Sequence, residues 1–217
     1  MGVCLWGLVF CAFGLVWSLV EGAAKAKVET NDPFTMVQSG ASKTFDRIKT
    51  EQASIQQNPE ALRAVMEEEL LPYIDYRFAA YMVLGKHARS VPKEKLGEYV
   101  QVFREYLITS YAIAMGYYDD QTVEFEPSGE WQGKKTVTVR AIVKDTGRPD
   151  MKIAFKVRKN KKTNEWRAYD MVAEGISLIS SKRSEFEGIL RQEGIDKVIS
   201  IRRDTIEKPI SIESQDT

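Results

Sequence analysis

The spacing of apolar residues changes once along this chain, near residue 120, and that change restricts the fold more than any other feature. Before it, apolar side chains recur at three- and four-residue steps, as on one face of a helix. After it they alternate, as in strands with one face buried. Helices first and antiparallel strands second predict an α+β domain with helices covering a curved sheet.

In the helical part, Asp32-Pro33 starts a helix with an acidic cap and proline in the first turn, and its stripe uses Met36, Val37, Ala41, Phe45 and Ile48. Asn58-Pro59-Glu60 repeats that start ahead of Leu62, Val65, Met66 and Leu70. Pro72 then opens a third helix, from about Tyr73 to Leu84, which Gly85 closes. The longest helix runs from Pro92 to about Tyr117. Its stripe of Leu96, Tyr99, Val100, Phe103, Tyr106, Leu107, Tyr111, Ala114, Met115 and Tyr118 is bulky and aromatic.

Four antiparallel strands follow, in which Val123 and Phe125 alternate, then Val137 to Val143, Met151 to Val157, and Trp166, Ala168 and Val172 against Arg167 and Tyr169. Turns fall at Gly129-Glu130, Asp145-Thr146-Gly147 and Asn160 to Asn164. A final helical section starts after Gly175, includes Ile176, and is divided by Gly194. The expected units are a leader over 1–26, one domain over 27–207 and a disordered tail over 208–217.

The leader rests on the apolar run Val3 to Val20 and on Ala24-Lys25-Ala26, a pattern that suits signal peptidase. No basic residue precedes the run, and its length approaches a membrane span, so a cleaved signal peptide and a retained anchor both remain readings. Cys4 and Cys11 lie inside the run, which leaves the rest of the chain without a thiol for disulfides or metal. His87 is the only histidine and reads as a surface residue, so neither a metal site nor a catalytic triad is expected. Lys and Arg total 31, as do Asp and Glu, which argues against nucleic acid as a partner.

Four stretches carry a family resemblance: Thr44-Phe45-Asp46-Arg47; Glu69-Leu70-Leu71-Pro72-Tyr73 leading to Val83-Leu84-Gly85; Phe103-Arg104-Glu105-Tyr106-Leu107; and Trp166-Arg167-Ala168-Tyr169-Asp170-Met171-Val172-Ala173-Glu174-Gly175-Ile176-Ser177. In order and spacing, from about Asn31 to Ile206, the chain resembles the MlaC family, the toluene-tolerance auxiliary proteins of Gram-negative bacteria. The resemblance implies an NTF2-like cone with an internal apolar pocket. It also implies a periplasmic carrier with phospholipid as cargo and no cofactor. The implied partners are an outer-membrane lipoprotein (MlaA-like) beside a porin and an inner-membrane ABC transporter with an MCE-domain ring (MlaD-like), serving outer-membrane lipid asymmetry.

For the lipid-lining residues the expectation is Phe78, Met82, Phe103, Tyr106, Leu107, Tyr111, Val139, Phe155, Met171 and Ile176, since thioethers and rings suit fluid chains. Ordinary core packing demands the same residue types. The alternative reading is an NTF2-like isomerase or dehydratase working from a pocket carboxylate such as Asp170, with Glu174 near it. Against it stands a structural role, in which Asp170 pairs with Arg47 or Arg104 and Glu174 caps the next helix. Arg158-Lys159-Asn160-Lys161-Lys162 reads as a basic hairpin tip, either a solvated turn or a surface for anionic headgroups or an acidic partner.

Overall fold

In the computed structural model, residues 30–118, 121–145, 147 and 149–212 are described. The expected leader over 1–26, Thr146 of one expected turn and residues 213–217 of the expected tail lie outside them.

Helix α1 spans Pro33–Thr50. The Asp32 carboxylate accepts from the N–H groups of Phe34 (2.9 Å) and Thr35 (2.8 Å), satisfying two donors that the first helical turn leaves free. Its buried face is Met36, Val37, Gly40, Thr44 and Ile48, with Ala41 and Phe45 only half buried. The face is rotated because α1 packs on Tyr73, where a Cβ on Gly40 would fall 2.9 Å from the ring. Short helices α2 (Gln52–Gln57) and α3 (Ala61–Val65) follow, and α3 runs into a wider π turn, Met66–Leu70.

The third expected helix starts later than its stripe suggests. Leu71–Tyr73 forms a tight 3-10 turn, and the Asp75 N–H donates to the Ala168 carbonyl at 2.7 Å, which pins the chain to the sheet. Only then does the Asp75 carboxylate accept from the Phe78 N–H (3.1 Å) and open α4, Tyr76–Leu84. Gly85, at φ +54°, ends it. His87 is not simply on the surface: in the turn Gly85–Arg89 it is partly buried, 3.2 Å from the Glu187 carboxylate. Helix α5 is Lys93–Met115.

The sheet is an antiparallel meander of five strands, one more than expected: β1 Thr122–Phe125, β2 Thr136–Lys144, β3 Met151–Lys159, β4 Trp166–Ala173 and β5 Ile176–Ser177. Glu174 and Gly175, at φ +47° and +81°, turn the chain back so that Ile176 pairs with Ala173 instead of starting a helix. Directly paired residues share a face, so Val139, Phe155 and Met171 form one row across β2, β3 and β4. A bulge makes this row: Val157 pairs with Ala168 but Lys156 pairs with Asp170. The extra residue, Tyr169, shifts the period, so Met171 and not Val172 joins the face of Trp166 and Ala168.

Helices α6 (Leu178–Gln192) and α7 (Gly194–Ile206) close the chain around α5. Three separate apolar clusters result. One joins α4, α5, α6 and α7, a second joins α1, α2, α3 and the later half of α5, and a third sets Phe34, Met36 and Val37 against Val139, Val157 and Trp166. The tail expected to be disordered is packed through Ile212. Ile210 is buried in the second cluster, its N–H donates to the Glu60 carboxylate (2.7 Å), and Arg63 holds the Lys208 carbonyl (2.7 Å).

Candidate functional site

The expected lining residues fall in different surroundings. Phe155 and Met171 stand on the sheet row and are half buried, whereas Val139 beside them is fully covered by α1. From the helices, Phe78, Met82, Leu107 and Tyr111 are also half buried. Met82 and Leu107 pack against the helical cluster, Tyr111 against the second cluster and Phe155 against the third, each keeping part of its surface open.

Tyr111 is the most telling of them. Its ring keeps accessible surface, yet enclosure by protein and the nearby Tyr106 and Asp170 push its hydroxyl from the ordinary value near 10 up to about 12. Burial of the hydroxyl, more than its charged surroundings, is the cause of that rise.

Three expected residues sit elsewhere. Phe103 and Tyr106 belong to the closed helical cluster, with ring centroids 6.1 Å apart, and the Arg202 guanidinium lies 4.4 Å over the Tyr106 ring. Ile176 is 64% exposed at the sheet edge, a consequence of the turn at Glu174-Gly175.

Tyr169 was missed by sequence reasoning, which put it on the polar face of β4. It packs edge-on against Phe78, ring centroids 5.1 Å apart, and joins the helical cluster. The signal is weak, since a bulge residue escapes any period-two pattern. Arg158 likewise is not at the hairpin tip. From β3 it lies 4.0 Å over the Phe78 ring and bonds the Asp75 carboxylate at 2.6 Å.

The carboxylates are occupied by structure. Asp170 is buried and accepts from Lys156 Nζ (3.0 Å), Ser177 Oγ (2.7 Å) and the Ile179 N–H (3.1 Å), tying α6 to β4. Its cation is thus Lys156; Arg47 pairs with Glu51, Glu68 and Glu69, and Arg104 with Glu67. Ser177, not Glu174, caps α6 through the Ser180 N–H (3.1 Å), and Glu174 instead accepts from the Lys152 N–H. Among the described residues no group of three or more His, Cys, Asp or Glu side chains could hold a metal ion, and no helix is long and apolar enough to cross a membrane.

Helices packed on one antiparallel meander, with three apolar clusters, define an α+β domain. Comparison with known proteins makes this specific: the model of the MlaC protein family matches residues 38–201, and the chain belongs to that family. It is 30% identical over 187 residues to the intermembrane phospholipid transport system binding protein MlaC of Haemophilus influenzae, an alignment covering 86% of this chain and 87% of that protein. Its fold matches the phospholipid-binding protein from Ralstonia solanacearum, solved in complex with a phospholipid. That match has a TM-score of 0.72 and 19% identity, and covers 81% of this chain and 97% of the other.

Proposed function

We propose that the chain is a phospholipid carrier of the Gram-negative periplasm. It shuttles lipid between an outer-membrane complex of MlaA-like lipoprotein and porin and an inner-membrane ABC transporter with an MlaD-like ring, and so maintains outer-membrane asymmetry. The observation that carries this reading is the similarity to the Haemophilus influenzae transport-system binding protein over most of both chains.

Physical chemistry supplies the need for such a protein. A diacyl phospholipid has about thirty methylenes at roughly 0.8 kcal/mol each, so an aqueous crossing faces an obstacle on the order of 20 kcal/mol. An apolar hollow as sheltering as the bilayer removes that obstacle and leaves exchange near balance. Phe155 and Met171 from the sheet and Phe78, Met82, Leu107 and Tyr111 from the helices are the side chains we assign to the hollow. The Met82 and Met171 thioethers adapt to mobile chains, and the rings give broad apolar walls.

This role involves no catalysis. Asp170 accepts from an ammonium, a hydroxyl and a backbone N–H, which gives this carboxylate a structural role in tying α6 to β4.

Protein purified from the exporting cell should carry phospholipid, visible by native mass spectrometry and by thin-layer chromatography of an organic extract, and delipidated protein should reload from vesicles. Lipid-free protein that takes none up would sink the reading.

A further inference from the structure

A cleft at the opposite end of strand β4 from the Met171 row has a composition the carrier role does not use. Its volume is about 330 Å³, and its lining includes Trp131, Lys134, Lys135, Lys159, Lys161 and Trp166. Four lysines and no carboxylate line one cleft of a chain whose basic and acidic residues balance at 31 each.

The cleft is built on the sheet. Lys159 is the register partner of Trp166, and the Lys159 N–H donates to the Lys135 carbonyl at 3.0 Å, so three neighbouring strand ends bring Lys135, Lys159 and Trp166 together. Lys134 is held by the Glu130 carbonyl at 2.7 Å. Two acids flank the cleft in sequence: Glu165 pairs with Arg167 at 3.2 Å, and Glu130 lines a neighbouring cleft that Lys134 shares. Asn160 Oδ1 accepts from the Lys162 N–H (2.8 Å), fixing the turn that carries Lys161.

Trp166 provides an independent observation. Its ring is fully buried, stacked edge-on to Trp131 with centroids 6.0 Å apart, and its indole N–H has no acceptor among the described residues. A buried donor without an acceptor is unfavourable, and an acceptor reaching it from the cleft would relieve that cost.

Lysines are compact point charges that bind phosphate without demanding the planar fork of a guanidinium. We propose that this cleft is a binding site for a phosphate group, distinct from the apolar hollow, in which Lys135, Lys159 and Lys161 neutralise the charge and the Trp166 N–H donates to one oxygen. Two sources share that chemistry: a phosphoglycerol lipid headgroup and free phosphate.

The indole N–H signal of Trp166 in a nitrogen-15 NMR spectrum, assigned with Trp166→Phe, reads the site directly. The protein is titrated with inorganic phosphate and with glycerophosphoglycerol, which has the headgroup but no acyl chain, against sodium chloride at matched ionic strength. A saturable shift with either phosphate compound supports the site. At least tenfold tighter binding of glycerophosphoglycerol assigns it to lipid headgroups, and equal or weaker binding assigns it to free phosphate. The combined variant Lys135→Gln, Lys159→Gln, Lys161→Gln should weaken binding at least tenfold while its circular dichroism and its bound acyl lipid stay unchanged. A shift no larger than that from sodium chloride, or one that survives in the combined variant, overturns the site. Acyl-lipid content is read separately, so failure here is distinguishable from failure of the carrier reading.

Discussion

Phe103 and Phe155 are the same side chain in two surroundings. Phe103 is 3% exposed between Tyr99 and Tyr106, in a cluster to which four helices contribute. Phe155 is half buried on a sheet row beside Met171. Residue type does not separate a closed core position from a half-open one; what separates them is which neighbours fill the space opposite.

The sharpest way to break that comparison is to truncate both rings. Phe103→Ala should cost about 3–5 kcal/mol, because the surrounding helices cannot collapse onto the void. Chemical denaturation measures this, and the folded fraction should still carry its lipid. A loss under about 1 kcal/mol would mean that the helical cluster is as loosely filled as the sheet row.

Next in size is Asp170→Ala. It removes the acceptor for Ser177 and for the Ile179 N–H and should cost about 2–3 kcal/mol, since Lys156, 40% exposed, can return to water while the backbone donor cannot. The same measurement tests it, and hydrogen exchange should quicken first in α6. An unaltered α6 would show that the carboxylate is not what fastens it to the sheet.

Phe155→Ala should cost less, roughly 1–2 kcal/mol, because part of its surface faces no protein partner. The lipid content should fall in this variant and not in Phe103→Ala. Ile176→Glu sharpens the contrast from outside: at 64% exposure it should shift stability by no more than about 0.5 kcal/mol and leave lipid bound. Met171→Glu, one row into the sheet, should abolish lipid carriage with the fold intact. Equal lipid loss in both glutamate variants would place the hollow at the sheet edge.

The sequence made much of this fold legible, and the exceptions have physical causes. Helix starts at Asp32-Pro33 and the long stripe of α5 were readable because capping and period act locally. The start of α4 was not, since the anchoring of Asp75 to Ala168 is a contact between distant residues. Four strands could be read by alternation, but β5 is two residues long and exists only because of a turn with two positive φ values. The packed tail was hidden for a related reason: Lys208 to Ile212 reads as a polar end until Glu60 and Arg63 meet its backbone. For the candidate site, the period identified which face of α5 is apolar but not which residues on it are fully buried and which half buried. Phe103 and Tyr106 therefore looked equivalent to Leu107 and Tyr111.

The smallest expected effect bears most directly on the hollow. An unfolded tyrosine ionises near pH 10, whereas the Tyr111 hydroxyl is pushed up to about 12, chiefly by burial. Between those values the unfolded chain has lost a proton that the folded protein retains, so stability is complete below about pH 10 and falls as pH rises toward 12. Tyr99, also raised by burial, contributes in the same direction, so Tyr111→Phe should remove only part of the decline. Near pH 8 the variant should be within about 0.5 kcal/mol of the parent, because it exchanges a neutral phenol for a phenyl ring of almost the same shape. Denaturation midpoints at pH 8 and pH 11 for the two proteins give the difference. An identical decline in both would mean that Tyr111 titrates as it does in water, and a phenol that does so faces a wet channel, which offers hydrocarbon no shelter.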